Sequence, residues 1–380
     1  MQVNMNHAAT SATKPQAVTE ALTAYLLKNS HQSVSRGSGE LASAKIALEA
    51  RIALAALFSI DNPSHIVFTS GATESLNMAI HGLMREGCHI LATSLEHNAV
   101  ARPLHLLREQ GRAEVTFLPC DAAGGFDPQS VCAALRPNTR LLVMTHASNV
   151  LGNILPVEAA FALAKQHGLI TILDAAQSVG HIPVMLGKNT DVIAFAGHKG
   201  LRGLAGTGGL VLSAHAAKSM RIWKTGGTGS HSHLLTMPDF LPDKFEAGTP
   251  YTLGIVSLHA AVRVLLETGL EQVRAHEMRM TERFVTGIKK LPLQLCGRYH
   301  PEEWVPVVSL LIPQKDAGVL ARRLMEEFSI ETRSGLHCAP LAHQSIGTFP
   351  AGTLRFSFGA DTTASEIDYA LDALKQLTAE

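Results

Sequence analysis

Between residues 65 and 213 short apolar runs alternate with helix-spaced segments, and this alternation limits the fold more than any other feature. The runs lie at 65–69, 88–93, 115–118, 140–145, 169–173 and 192–195. Several are closed by glycine or small polar residues and are followed by a stretch with helical spacing. Strands that alternate with helices build βαβ units and a mainly parallel sheet. In open sheets of this kind ligands collect beyond the carboxyl ends of the strands. Thr73, His97, Asn149, Asp174 and Lys199 each come soon after one of these runs. The sequence therefore predicts an α/β domain with a polar cluster at one edge of its sheet.

Lys199 is the member of that cluster with the most specific chemistry. It stands in Gly197-His198-Lys199-Gly200, directly after the apolar run 192–195. Lysine is rarely buried without a partner, and burial lowers its pKa until the neutral amine can form a Schiff base. A solvated lysine at a loop mouth is the alternative. Asp174, which ends the preceding run, changes the balance. A lysine for the aldehyde and an acid for the pyridinium nitrogen are the groups that pyridoxal phosphate requires. The segment 70–77, Ser-Gly-Ala-Thr-Glu-Ser-Leu-Asn, follows a strand and opens a helix. Free N–H groups at such a helix start suit a phosphate, although an ordinary capped turn would look the same.

Composition excludes several other classes. The formal net charge is zero, without a basic or acidic block, which points away from nucleic acid and membrane surfaces. No run approaches the ~18 apolar residues of a spanning helix. The first residues lack the pattern of a signal peptide. The five cysteines are scattered, without a CxxC pair or zinc-ligand spacing. A reduced, cytoplasmic protein without a metal is the expectation. The chain is long enough for a large domain, expected at 15–255, and a smaller α+β domain from 256–380 joined by 1–14.

The motifs 174–178 (Asp-Ala-Ala-Gln-Ser) and 197–199 (Gly-His-Lys) resemble the class V aminotransferase group of fold-type-I pyridoxal-phosphate enzymes. Within that group the chain is most similar to group II cysteine desulfurases, from Asn6 to about Arg355. The resemblance implies a large domain with a mainly parallel seven-stranded sheet and a smaller C-terminal domain. It implies that Ala72, Thr73 and His198 hold the cofactor phosphate. His97 would stack on the pyridine ring and take part in proton transfer. Asn149 and Gln177 would approach the phenolic oxygen, with Asn149 also near the substrate carboxylate. Thr249 would reach the phosphate bound by the other subunit of a homodimer. The group often has Asp or Ser before the two alanines at the start of the chain, so Asn6 and His7 are departures. Ala196 replaces a Ser or Thr whose hydroxyl reaches the phosphate; water or Thr228 would have to supply that bond.

The segment 333–339, Arg-Ser-Gly-Leu-His-Cys-Ala, bears on the reaction. A histidine beside a cysteine suggests an activated thiol, while an isolated cysteine is more often a small buried hydrophobe. The segment resembles the one in which group II desulfurases carry their sulfur-accepting cysteine, here Cys338, with Leu336 in place of a common histidine. Arg355 resembles the arginine that clamps a substrate carboxylate, and Arg333 is a second candidate contact. The implied reaction converts L-cysteine to L-alanine and leaves a persulfide on Cys338, from which a sulfur-acceptor protein could draw. A selenocysteine lyase, another class V β-lyase or aminotransferase, and a catalytically silent scaffold are the competing readings. Intact Lys199, Asp174 and His97 argue against the last.

Overall fold

The computed structural model describes residues 2–29, 38–312 and 315–379. A seven-stranded sheet occupies its centre. The strands are β1 (Ile66–Thr69), β2 (Cys88–Thr93), β3 (Ala113–Leu118), β4 (Thr139–Thr145), β5 (Ile170–Asp174), β6 (Val192–Ala196) and β7 (Gly208–Leu212). Their order is β1-β7-β6-β5-β4-β2-β3. Only β7 runs antiparallel to its neighbours. The other pairs are parallel, as the alternation of strand and helix predicts.

The strands are continuous apolar runs because both faces of the sheet are covered. Alternate residues serve opposite faces. Val192 and Ala194 of β6 pack with Leu76, Ile80 and Leu104, from the helices Ala72–Leu83 and Asn98–Glu109. Ile193 and Phe195 point the other way, into a core with Phe58, Phe161 and Val262. The rings of Phe58 and Phe195 lie 5.2 Å apart. Each such side chain contributes roughly 1.5–3 kcal/mol through burial.

Most expected elements are present with small shifts at their ends. The helix before Pro137 is short, Ser130–Ala133. Pro137 accounts for the early stop, since the residue before a proline is pushed out of helical conformation.

The C-terminal part builds a second sheet, antiparallel, in the order Arg333–Gly335, Thr353–Ser357, Val307–Leu311, Gln294–Leu295. Phe284, Leu310, Leu324, Phe356 and Leu374 fill a core of its own. The start of the chain belongs with this part: Val3–Asn4 pairs in parallel with Ile330–Glu331. The following residues then cross to the large sheet, where the Ser11 amide donates to the His198 carbonyl at 2.9 Å. Among the described residues no single helix is long and apolar enough to cross a membrane.

Candidate active site

The parallel strands all end at one edge of the large sheet, and a cavity opens there. Its walls include Ala72 and Thr73 after β1, His97 after β2, Asn149 after β4, Asp174 at the end of β5 and Gln177 after it, and His198 and Lys199 after β6. The register places Thr145 beside Asp174, and Asp174 beside Ala194. Gly208 lets the first loop approach so closely. A Cβ at Gly208 would stand 2.4 Å from the Phe195 carbonyl oxygen and 2.6 Å from the Gly71 Cα.

Burial sets the charges in this cavity. Lys199 is only partly covered as a residue because the cavity reaches it, yet protein surrounds its amine. That desolvation pushes the ammonium down to about 8, against the opposing pull of Asp174. Asp174 is 4% exposed, and burial raises its carboxyl above the usual range. Its Oδ1 accepts from the Ala176 amide at 3.0 Å. Among the described residues no hydrogen bond ends on Oδ2, although polar atoms in proteins are normally satisfied.

The remaining wall is polar and largely neutral. The His97 side chain caps the helix that follows it, Nδ1 accepting from the Ala99 amide at 3.0 Å. Nδ1 is therefore the acceptor, and in the neutral ring the proton sits on Nε2. Burial, then the charge of Lys199, pushes His97 down to about 4. His198 is lowered to about 4 for the same two reasons, and its Nδ1 lies 3.1 Å from the Thr10 hydroxyl. Gln177 donates from Nε2 to the Ala8 carbonyl at 3.0 Å. The helix Ala72–Leu83 begins after Gly71 with no side-chain cap, so its first amides face the cavity wall formed by residues 70–74.

The second sheet supplies the mouth of the site. Arg333 and Arg355 occupy paired positions on adjacent antiparallel strands. Arg355 is 1% exposed; burial, then Arg333, depresses its guanidinium to about 9. Its Nη1 donates to the Asn149 carbonyl at 2.9 Å, and Asn149 Nδ2 donates to the His337 carbonyl at 2.7 Å. Cys338 is exposed and free. Its thiol lies beside an open groove lined by Thr73, His97, Ala99, Arg102 and Leu106.

The histidine next to this cysteine does not activate it. His337 is buried at 3% exposure, its Nε2 bonded to the Thr353 hydroxyl at 2.9 Å. Burial pushes its ring down to about 2. The group that meets the thiol is Arg333, whose Nη2 lies 3.5 Å from Cys338 Sγ. His337 and Cys338 both have left-handed backbones, with φ of 47° and 59°. Strain of this kind collects at functional sites.

Thr249 is exposed and does not line the cavity of its own chain. Thr228 does not line it either; its hydroxyl lies 3.1 Å from the Ser230 hydroxyl. The hydroxyl that Ala196 lacks is thus not replaced by Thr228 within one chain. Sequence reasoning also missed Glu96. Its carboxyl is fully buried, and Oε1 accepts from Thr93 Oγ1 at 2.5 Å and from the Thr145 amide at 2.9 Å. Among the described residues its Oε2 has no hydrogen-bond partner. An acid directly before His97 was the available signal, but the sequence does not tell which of the two side chains turns inward.

Residues 3–370 match the family model described as "Aminotransferase class-V". The chain belongs to the class-V aminotransferase family. Members of this family use pyridoxal phosphate. A protein of Pectobacterium carotovorum named "Cysteine desulfurase" is 32% identical over 97% of this chain and 91% of its own length. A Mycolicibacterium paratuberculosis protein named "Probable cysteine desulfurase" is 30% identical; the class-V chain spans only 54% of that longer relative. The apo structure of a cysteine desulfurase from Thermococcus onnurineus superposes with a TM-score of 0.90 at 29% identity, covering 100% of this chain and 95% of its own.

Proposed function

We propose that this class-V protein is a pyridoxal-phosphate-dependent cysteine desulfurase that converts L-cysteine to L-alanine and receives the sulfur on Cys338. The observation that carries this reading is the exposed Cys338 thiol beside Arg333, next to a groove shared with Thr73 and His97 of the cavity wall. The desulfurase relatives support the same reaction.

The cavity fits the cofactor. Asp174 offers an unbonded carboxyl oxygen at the sheet edge, the helix at Ala72 offers uncapped amides for a phosphate, and Lys199 offers an amine that burial keeps close to neutrality. Lys199 would hold the aldehyde, Asp174 the pyridine nitrogen, and Ala72, Thr73 and His198 the phosphate. His97 would face the ring, with Asn149 and Gln177 near its phenolic oxygen. Bound pyridoxal phosphate would supply an electron sink for the substrate's α-carbon.

The side chains then divide the remaining work. Arg355, assisted by Arg333 and Asn149, holds the substrate carboxylate and fixes its orientation. Lys199, with an amine near neutrality, accepts the α-proton. His97 carries a proton on Nε2 and can hand it toward the substrate. The Cys338 thiolate, beside the Arg333 guanidinium, attacks the substrate sulfur. An S–S bond forms as the Cβ–S bond breaks. The bonding pair stays on carbon, a proton takes the place of sulfur, and alanine leaves while the persulfide remains.

We also read the chain as a homodimer in which Thr249 serves the partner's phosphate site. The stretch 221–251 supports this. It exposes Ile222, Trp223, Leu234, Leu235, Phe240 and Tyr251, an apolar concentration that isolated soluble chains rarely show. Light scattering should return twice the chain mass. The large domain is taken as 15–255, with 1–14 and 256–380 forming the smaller one, and a reducing cytoplasm suits an enzyme that needs a free thiol. The reaction itself is tested by incubating the holoenzyme with L-cysteine and a reductant. Alanine and sulfide in equal amounts are expected; pyruvate in place of alanine would instead establish a β-elimination.

A further inference from the structure

The turn that carries Cys338 is held by the loops of the large sheet. His337 and Cys338 are successive left-handed residues, a conformation that a residue with a Cβ keeps only when its surroundings enforce it. Inside the turn the Ala339 amide donates to the Leu336 carbonyl at 2.8 Å. Two further bonds reach the turn from distant parts of the chain. Asn149 Nδ2 donates to the His337 carbonyl at 2.7 Å, and the Asn98 amide donates to the Cys338 carbonyl at 2.7 Å. The His337 carbonyl belongs to the peptide before the Cys338 Cα, and the Cys338 carbonyl to the peptide after it. With both peptides fixed, the direction of the Cα–Cβ bond is fixed as well, and the thiol keeps only its own side-chain rotation.

Both donors come from loops at the sheet edge. Asn98 is the first residue of the helix that follows His97, and Asn149 follows β4 and lines the cavity. Asn149 is 7% exposed, and its backbone carbonyl accepts from Arg355 Nη1 at 2.9 Å. One residue therefore bonds the buried guanidinium through its backbone and the peptide before Cys338 through its side chain. A carboxamide suits this place because its nitrogen is an uncharged donor. A carboxylate would set acceptor against acceptor at the His337 carbonyl, and a methyl group would leave that carbonyl without the bond.

We propose that Asn149 is a positioning residue for Cys338: together with the Asn98 amide it aims the thiol, and it ties that aim to the guanidinium of Arg355. The inference rests on Cys338 being the sulfur acceptor. Arg355 fixes one end of the substrate and Cys338 must meet the other, so the distance between the two sets the approach of sulfur to sulfur. Reacting atoms have to come within about 3–3.5 Å in line, and a misplacement of about 1 Å can cost on the order of 100-fold. The clamp acts on the thiol through its backbone, so its effect falls on sulfur transfer.

The test removes the two ties separately and together in the holoenzyme. Asn98→Pro deletes the amide donor at a first helical position, where proline is tolerated. His97 before it already has the extended ψ of 156° that a following proline favours. Asn149→Ala deletes the other tie, and Asn149→Asp is the second variant if the alanine protein loads its cofactor poorly. Loss of one such bond corresponds to roughly a tenfold effect. Asn98→Pro is expected to lower kcat for alanine formation from L-cysteine by about that factor, with KM within about threefold. Amide hydrogen exchange in the peptide holding residues 336–339 should speed up by a similar factor in both single variants. Because both ties hold one turn, the double variant should lose less in kcat than the product of the two single losses. A normal kcat in Asn98→Pro, unchanged exchange, or losses that multiply would overturn the proposal. Cys338→Ala is measured beside them. Alanine formed by it at the wild-type rate would mean that the thiol is not the sulfur acceptor, whereas the exchange data would still report on the clamp.

Discussion

Arg333 and Arg355 face each other directly across an antiparallel strand pair. Like charges in this position are destabilising, by roughly 0.2–1 kcal/mol for an exposed pair. Here Arg355 is fully buried, and Arg333 contributes to the lowering of Arg355, Lys199 and His97 alike. An anion between the two groups would relieve this repulsion, and in the proposed reaction the substrate carboxylate is such an anion.

Arg355 should dominate the binding of that carboxylate. Arg355→Ala is expected to reduce kcat/KM for L-cysteine by about 100-fold, since two charge-assisted hydrogen bonds are lost. Most of the loss should appear in KM. Arg355→Lys should recover little of it, because a point charge cannot reproduce the planar fork. Steady-state kinetics over a wide cysteine range decides this, and a normal KM in Arg355→Ala would exclude the clamp.

Lys199 should control both colour and turnover. Lys199→Ala is expected to lose the long-wavelength absorbance of lysine-bound cofactor and all measurable desulfuration. The depressed amine adds a pH dependence. Below about 8 the lysine is mostly charged, and above it the nucleophilic neutral form prevails. The rate at which the apo chain binds added pyridoxal phosphate should therefore rise as pH increases through about 8 and level off beyond it. A rate that keeps climbing toward the ordinary lysine value of 10.5 would show that the amine is solvated.

Glu96 should be a neutral acid at pH 7. Burial, with a smaller contribution from the charge of Asp174, raises its carboxyl to about 8 from an ordinary 4.5. Cys120 is the other titratable group that senses its charge. Between 4.5 and about 8 the folded protein keeps a proton that the unfolded chain has released. Stability from this group is therefore lost as pH rises across that window. Glu96→Gln cannot titrate, so its Tm relative to wild type should improve steadily from the acid end to the alkaline end. The infrared carbonyl band of a protonated carboxyl should vanish in the same variant and persist in Asp174→Asn. A parallel pH course of Tm in both proteins would mean that Glu96 is ionised throughout.

The sheet edge was readable from the sequence because each strand there is a continuous apolar run with its functional residue a few positions beyond it. Thr73, His97, Asn149, Asp174 and Lys199 converge for that reason. The mouth was less readable. Arg333, Arg355 and Cys338 come from a second sheet whose strands are only three and five residues long where it matters. Their meeting depends on strand register, which a single sequence does not state. His337 misled for a related reason. Adjacency in sequence suggested contact with the thiol, but two successive left-handed residues turn the imidazole into the interior and the thiol outward. Asn6 and Glu96 were silent because their partners, Glu331 and Thr145, are distant in the chain.

Cys338 provides the most decisive prediction. Its side chain is exposed, and its backbone carbonyl accepts from the Asn98 amide at 2.7 Å. Cys338→Ala and Cys338→Ser should consequently fold, bind pyridoxal phosphate and take up L-cysteine as the wild type does, since Arg355, Lys199 and Asp174 are untouched. Sulfur removal should still collapse, by at least about 100-fold, because a hydroxyl or methyl cannot accept sulfur as a persulfide. Arg333→Ala should show a partial form of the same defect, with a slower reaction, because the thiol loses the cationic group beside it. Mass analysis after brief exposure to L-cysteine gives the direct reading: one added sulfur on the peptide that contains Cys338. Sulfur found instead on Cys88, Cys120, Cys132 or Cys296, or alanine produced by Cys338→Ala at the wild-type rate, would remove Cys338 from the mechanism and favour a β-lyase or transaminase.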